Sequence, residues 1–268
     1  KLLLETAFMS VNIHAKSTGS GPDVILIHGL FGMGSNLGAL ARALEDKFTV
    51  HCVDLPNHGR SGWVDSIDIP AMAVAVLAWM DQLAVQSAAL VGHSLGGKVA
   101  MELAQQNPQR IRAIVIADIA PVAYPAGHAQ EFAALNEVAQ ARCASRTAAR
   151  DIMSQHIRED AIVQFLAKNL GRLEDGHYGW TFNVEGIQAS YDAIRAGIEP
   201  REPYVDPVLF IKGEDSNYIQ ESHRQSIAAL FPSAALKVIP GSGHWLHAQE
   251  PRLFNNLVAR FLVKVHRA

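Results

Sequence analysis

Residues Ala88 to Lys98 read Ala-Ala-Leu-Val-Gly-His-Ser-Leu-Gly-Gly-Lys, an apolar run that stops at Gly92-His-Ser94-Leu-Gly96 and resumes as a helical pattern. Ala88–Val91 is short and apolar, as a buried strand requires, and Val99–Gln106 carries apolar residues at helical spacing. A serine between the two sits on a tight, strained turn with its hydroxyl pushed into solvent. Glycines two residues to either side let strand and helix come close enough to make that turn. The bare pentapeptide is equally compatible with a glycine-rich connector; its place between a strand and a helix gives it weight.

Other runs supply a sheet for this corner. Val24–Ile27, Thr49–Val53, Ala113–Ala117, Val208–Ile211 and Leu236–Ile239 also read as buried strands. Helical patterns at Asn36–Glu45, Ala71–Leu83, Gly97–Gln106, Glu221–Leu230 and Arg252–Val265 separate them. Such alternation predicts an α/β chain with a mostly parallel sheet covered by helices on both faces. Ala7–Ala15 is expected to form an antiparallel hairpin at the sheet edge. The gap between Asp118 and Tyr204 is too long for one crossover. It holds candidate helices near Ala129–Cys143, Arg146–His156, Asp160–Asn169 and Val184–Ala196. Residues 1–119 and 205–268 therefore read as a core and 120–204 as a helical cap, inserted after the sixth strand over the sheet edge where ligands bind.

Composition narrows the class. Of 268 residues, 49% are hydrophobic and 18% charged, which suits a packed globule rather than a disordered chain. A net charge of −3 offers no cue for nucleic acid or an anionic membrane. No stretch approaches the ~18–20 apolar residues of a membrane span. The two cysteines lie far apart; Cys52 is expected as a buried thiol, and a cytoplasmic location fits. The N-terminus shows no basic-then-apolar leader.

A competing reading starts from Gly29, Gly32 and Gly34 after the first central strand, with Asp54 about 20 residues on, as in a dinucleotide-binding oxidoreductase. Leu37 stands where that motif needs Gly or Ala. Asp54 also opens a Pro56-Asn-His58-Gly59-Arg-Ser61 loop that a ribose-binding acid does not require.

A serine hydroxyl becomes a nucleophile only when a neighbouring base takes its proton. Among twelve histidines, His244 stands out: it follows the last strand in Pro240-Gly-Ser-Gly-His244-Trp, a loop able to lower a side chain onto the ligand-bearing edge. His247 is the rival, placed where the last helix begins. The acid that orients the imidazole has two candidates at strand ends, Asp118 and Asp215.

Taken together, His28-Gly29, Asp54-Leu-Pro-Asn-His58-Gly59-Arg-Ser61, Gly92-His-Ser-Leu-Gly-Gly97 and Gly243-His244-Trp resemble the α/β-hydrolase family, as does the order Ser…Asp…His. Asp118-Ile-Ala-Pro-Val122, Phe210-Ile-Lys-Gly213 and Gly243-His-Trp-Leu-His247-Ala are more narrowly similar to the small bacterial YbfF-type serine esterases. Most α/β-hydrolases carry the acid after the seventh strand, three residues before an aliphatic. Counted back from Ile219 that position is Ser216, and Asp215 is one residue early. In YbfF-type enzymes the acid follows the sixth strand, which favours Asp118. The resemblance also implies an oxyanion hole from the backbone N–H groups of Leu95 and Leu30, with Phe31 as a substitute for Leu30. His28 is expected to brace the loop.

The implied activity is a carboxylesterase or thioesterase for short to medium acyl chains, working through an acyl-enzyme on Ser94 without metal or organic cofactor. Phe31, Trp245 and Tyr124 are candidates for the substrate pocket, and Trp180, Phe182 and Tyr191 are further ones. Ser94 argues against a haloalkane dehalogenase, which needs an aspartate there. A carbon–carbon bond hydrolase, a cofactor-free perhydrolase and a non-catalytic ligand-binding protein are the alternatives. Arg142, Arg146 and Arg150, four apart, would form a same-charge stripe on one continuous helix, a candidate grip for a coenzyme A phosphate; a solvated face or a break at Ala144-Ser145 is the plainer outcome. The expected partner is an ester or acyl-CoA thioester, with no nucleic acid or membrane, on a monomer or homodimer.

Overall fold

The computed structural model describes residues 11–267. Its strands are β1 (Ala15–Thr18), β2 (Asp23–Ile27), β3 (Thr49–Val53), β4 (Ala88–His93), β5 (Ile111–Ala117), β6 (Leu170–Arg172), β7 (Tyr178–Trp180), β8 (Val208–Gly213) and β9 (Ala234–Ile239). The α-helices are α1 (Gly38–Leu44), α2 (Ile69–Gln82), α3 (Leu95–Gln106), α4 (Ala129–Gln140), α5 (Arg146–His156), α6 (Asp160–Ala167), α7 (Val184–Ala189), α8 (Tyr191–Ile194), α9 (Arg224–Leu230), α10 (Leu246–Gln249) and α11 (Pro251–Arg267).

Seven strands form one sheet in the order β1-β3-β2-β4-β5-β8-β9, parallel throughout except for β1, which runs antiparallel to β3. Neighbouring residues of each central strand are buried on opposite sides. Ile25, Ile27, Ile114, Ile116 and Phe210 join one apolar cluster with α2, α3 and the segment between β5 and β8. Val24, Leu26, Ala113, Val115, Leu209 and Ile211 join the other with α1 and α11. Two-sided burial explains why these strands read as continuous apolar runs without alternation. Each fully buried aliphatic side chain contributes about 1.5–3 kcal/mol against exposure.

The corner after β4 depends on missing side chains. A Cβ on Gly92 would lie 2.2 Å from Gly96 O, and one on Gly96 would lie 2.2 Å from Ile27 O. Both contacts are with backbone, which cannot move aside.

The insertion follows β5, the fifth strand among the described residues rather than the expected sixth because the N-terminal edge there contributes one strand, and it carries five helices and also a hairpin, β6 paired antiparallel with β7. The helical reading missed it, because three-residue strands interrupted by Gly171 and Gly179 leave no measurable alternation. The Val184–Ala196 helix is two pieces divided at Ser190, whose hydroxyl caps Ile67 N–H at 2.8 Å. At the N-terminal edge the strand is Ala15–Thr18. Positions 7–10 of the expected hairpin lie outside the described residues, and 11–14 are irregular, tied by Asp54 N–H to His14 O and by Gly62 N–H to Asn12 O. Cys52 is half-buried and Cys143 is the buried thiol. Among the described residues no helix is long and apolar enough to cross a membrane.

One buried cation joins the insertion to the core. Lys98 on α3 is 2% exposed and donates from Nζ to Arg195 O at 3.1 Å and to Ala196 O, carbonyls that follow α8. Burial lowers its pKa to about 7. The unfolded chain then holds this proton more tightly than the folded one, so stability rises with pH between about 7 and 10.5. Urea denaturation from pH 6.5 to 9.5 should show that rise in the wild type and a flatter dependence in Lys98→Met; equal slopes would refute the assignment.

Candidate active site

Strand register brings the site together. His93 at the end of β4 pairs with Ala117 at the end of β5, so Ser94 and Asp118 leave the sheet side by side. Ser94 N–H bonds to Ala117 O at 3.0 Å and Asp118 N–H to Ile211 O at 2.8 Å, carrying the ladder one residue past each strand. Both residues have φ 53°, a left-handed conformation unusual for side-chain-bearing residues. Such strain costs about 1–3 kcal/mol each and persists only where the surroundings over-determine it.

His244 reaches this pair from the loop between β9 and α10. Its Nδ1 lies 2.8 Å from Asp118 Oδ2 and its Nε2 3.0 Å from Ser94 Oγ. Because the carboxylate accepts, Nδ1 carries the proton and Nε2 turns its lone pair to the serine. Asp118 is fully buried, and its carboxylate also accepts from Ser216 Oγ and, at 3.2 Å, from Gly213 N–H. Asp215 is exposed and forms neither a hydrogen bond nor an ion pair with His244; its N–H bonds to Ser242 O. Ser216 thus stands where most α/β-hydrolases place the acid, and its hydroxyl supports the acid of the neighbouring strand.

The loop histidines are neutral braces. His28 Nδ1 donates to Gly29 O at 2.8 Å while Nε2 accepts from Leu55 N–H at 3.0 Å. His58 Nδ1 donates to Pro56 O and Nε2 accepts from Phe31 N–H at 3.2 Å; burial lowers its pKa to about 3. That bond occupies Phe31 N–H and removes it as a substitute oxyanion donor. The N–H groups of Leu30 and Leu95 have no hydrogen-bond partner among the described residues. Asp54 is buried, accepts from Gly34 N–H at 2.6 Å and Arg60 N–H at 2.9 Å and pairs with His14 at 3.3 Å, so it braces its own loop rather than facing a ligand. The dinucleotide reading fails on that point.

Ser94 and His244 open into a cavity of about 700 Å³ at the C-terminal edge of the sheet. Leu30, Phe31 and Trp245 line it from the core loops; Ile162 and Phe165 of α6, His128 just ahead of α4 and Glu131 in its first turn line it from the insertion. Phe165 packs on Trp245 with ring centroids 5.4 Å apart. Tyr124 is not part of the wall. Its hydroxyl accepts from Ala120 N–H and donates to Tyr218 O at 2.5 Å, which draws the ring beneath the loops. Tyr218 lines the cavity instead, and its ring stacks on His244. No sequence signal marked it beyond its place two residues after Ser216. Trp180 and Phe182 are buried packing residues away from this wall, and Tyr191 bonds through its hydroxyl to His128 Nδ1 at 2.6 Å.

His247, the rival base, does not reach the serine. It also lines the cavity, with its ring 4.3 Å from His93, and burial lowers its pKa to about 4. The arginine stripe does not exist. Ser145 caps α5, so Arg142 lies outside any helix and pairs with Asp175 at 3.0 Å. Arg146 donates to Leu170 O and Ala167 O, and Arg150 sits 3.7 Å from Asp160.

A profile described as "Alpha/beta hydrolase family" matches residues 24–257. The chain is 38% identical to the esterase YbfF of Escherichia coli K12 over 258 residues, spanning 95% of this chain and 99% of that one. It is 36% identical to the sn-1-specific diacylglycerol lipase ABHD11 of Mus musculus over 90% of this chain and 81% of the relative. A solved marine microorganism esterase superposes with a TM-score of 0.91 at 35% identity, covering 94% of this chain and all of that one.

The two carboxylates can be separated by reactivity. Asp118→Asn should slow the labelling of Ser94 by a fluorophosphonate by about 10⁴-fold, since the imidazole loses its orienting acceptor. Asp215→Asn should change it less than about threefold; the reverse order, read by mass spectrometry, would overturn the assignment.

Proposed function

This chain belongs to the alpha/beta hydrolase family, and we propose that it is a serine carboxylesterase acting on neutral esters of short to medium acyl chains through an acyl-enzyme on Ser94. The observation that carries this reading is the unbroken hydrogen-bond chain from Ser94 through His244 to Asp118, at 3.0 and 2.8 Å. It is hydrogen-bond geometry between a nucleophile, a base and an orienting acid. The esterase and lipase names of the relatives agree with it.

In the first step Ser94 Oγ attacks the ester carbonyl carbon while its proton passes to His244 Nε2. The carbonyl electron pair collects on oxygen, facing the free N–H groups of Leu30 and Leu95; losing one such donor typically costs ~10²–10³ in rate. Asp118 stays ionised and stabilises the imidazolium. As the tetrahedral intermediate collapses, the carbon–oxygen bond to the leaving alcohol breaks and His244 returns the proton to it. Water then repeats both steps on the acyl-enzyme, releasing the acid and restoring Ser94.

The cavity supports the substrate class. Leu30, Phe31, Ile162, Phe165 and Trp245 give it an apolar surface for an acyl chain beside polar groups such as His128 and Glu131, and the insertion supplies one side. The three arginines considered for a coenzyme A phosphate are engaged elsewhere, which favours an oxygen ester over an acyl-CoA.

Two measurements test the reading. Wild-type protein should carry a fluorophosphonate on Ser94, and Ser94→Ala should lose both label and ester turnover, the latter by about 10⁴-fold or more. Across p-nitrophenyl esters from two to twelve carbons, kcat/KM should peak below about eight and exceed that for butyryl-CoA. Absence of both label and turnover would favour a ligand-binding protein. A labelled serine with no ester turnover would favour a carbon–carbon bond hydrolase.

A further inference from the structure

We propose that Tyr218 is a positioning residue for the base: its ring holds the His244 imidazole in register with Ser94 and stabilises the protonated ring formed in each transfer step. The inference rests on the reading of His244 as general base. The rings of Tyr218 and His244 are nearly parallel, 18° apart in plane, with centroids 3.8 Å apart. A π face at that distance attracts a cation, and the attraction grows when water is excluded. The neutral imidazole gains only packing from the same contact, so the effect is selective for the charged form that catalysis creates.

Tyr218 is itself fixed through the residues that hold the acid. Its N–H donates to Ser216 Oγ at 3.2 Å, and Ser216 Oγ donates to Asp118 Oδ2. Its carbonyl accepts from Tyr124 OH at 2.5 Å, and Tyr124 OH accepts from Ala120 N–H at 2.9 Å, two residues past Asp118. Acid and stacking ring are thereby set against one another by bonds that do not pass through the histidine. In this chain the segment after β8 does not provide the acid that meets His244; it provides the surface on which the base rests.

The surroundings leave the charge balance at His244 simple. Asp118 faces it from the end of β5 as the one anion in hydrogen-bond contact among the described residues. His93 from β4 lies with its ring 4.8 Å away and donates Nε2–H to His244 O at 2.8 Å. His93, His128 ahead of α4 and His247 on α10 are all held below the usual imidazole range by burial, so none is a competing cation near neutral pH. Glu131 is half-buried in the cavity with its carboxyl pushed up by burial; Glu159 and Lys168 are exposed at its margin.

The experiment compares pH profiles of kcat/KM on one neutral p-nitrophenyl ester for wild type, Tyr218→Phe and Tyr218→Leu, with Tm recorded for each. Phe keeps the π face, whereas Leu keeps water off the imidazole without one. Tyr218→Phe should retain the acid limb of the wild type. Tyr218→Leu should shift that limb down by about half a unit to one unit and lower kcat about five- to tenfold, with KM little changed. Should Tyr218→Leu melt below the assay temperature, Tyr218→Met takes its place. Equal acid limbs for the Phe and non-aromatic variants would overturn the inference, even where Tm falls. The underlying esterase reading is scored separately, by wild-type turnover and labelling of Ser94.

Discussion

The approach of β4 to α3 at the Gly92–Gly96 corner is the contact on which the rest of the site depends. With a Cβ at either position the helix would be driven off the sheet by backbone it cannot displace. With hydrogens there, the chain reverses within a residue or two and Ser94 is lifted clear of both elements. Its left-handed backbone is tolerated because β4 is clamped between β2 and β5 and buried on both faces, so the strain is spread over a rigid support. Asp118 meets the same situation one strand away, and parallel register converts two separate strains into one adjacent pair.

Around that pair the protein concentrates charge by removing it elsewhere. Five histidines near the cavity, at positions 28, 58, 93, 128 and 247, are held below the ordinary imidazole range, chiefly by burial. As neutral rings they serve as directional donors and acceptors, bracing the loops without repelling a new imidazolium. Asp118 is fully buried, yet its carboxylate accepts from His244, Ser216 and Gly213, which offsets the cost of holding an anion there. His244 and Ser94 are left partly exposed, as groups that must meet a substrate and exchange protons with it need to be.

Chemistry and selectivity are divided between segments. Strand-end loops of the sheet carry Ser94, Asp118, His244 and the unpaired N–H groups, while the insertion supplies much of the cavity wall. The two are fastened at particular points: Asn169 Nδ2 donates to Phe31 O at 2.8 Å, and Lys98 grips the carbonyls after α8. A change in the insertion can therefore reshape the cavity without disturbing the hydrogen-bond chain below it.

Much of this was written locally in the chain. The central strands, α2, α3 and α5 were legible because burial on two faces, or on one helical stripe, leaves a periodic trace that needs no knowledge of neighbours. Ser94 was legible for the same reason, since glycines at fixed offsets are a local steric requirement, and His244 stood out by its loop. The residues alone left Asp118 and Asp215 open; strand register decides between them, because only the end of β5 lies within reach of the imidazole. Tyr218 left no mark, Ser216 was marked by its position but not by its bond to Asp118, and Tyr124 misled, because a hydroxyl or ring declares its partner only once distant loops are packed together. The β6–β7 hairpin is too short to show a period. What propensity and sterics impose residue by residue was determined by the sequence itself; which polar groups meet was decided by tertiary structure, since pairing depends on separations in space that spacing along the chain does not encode.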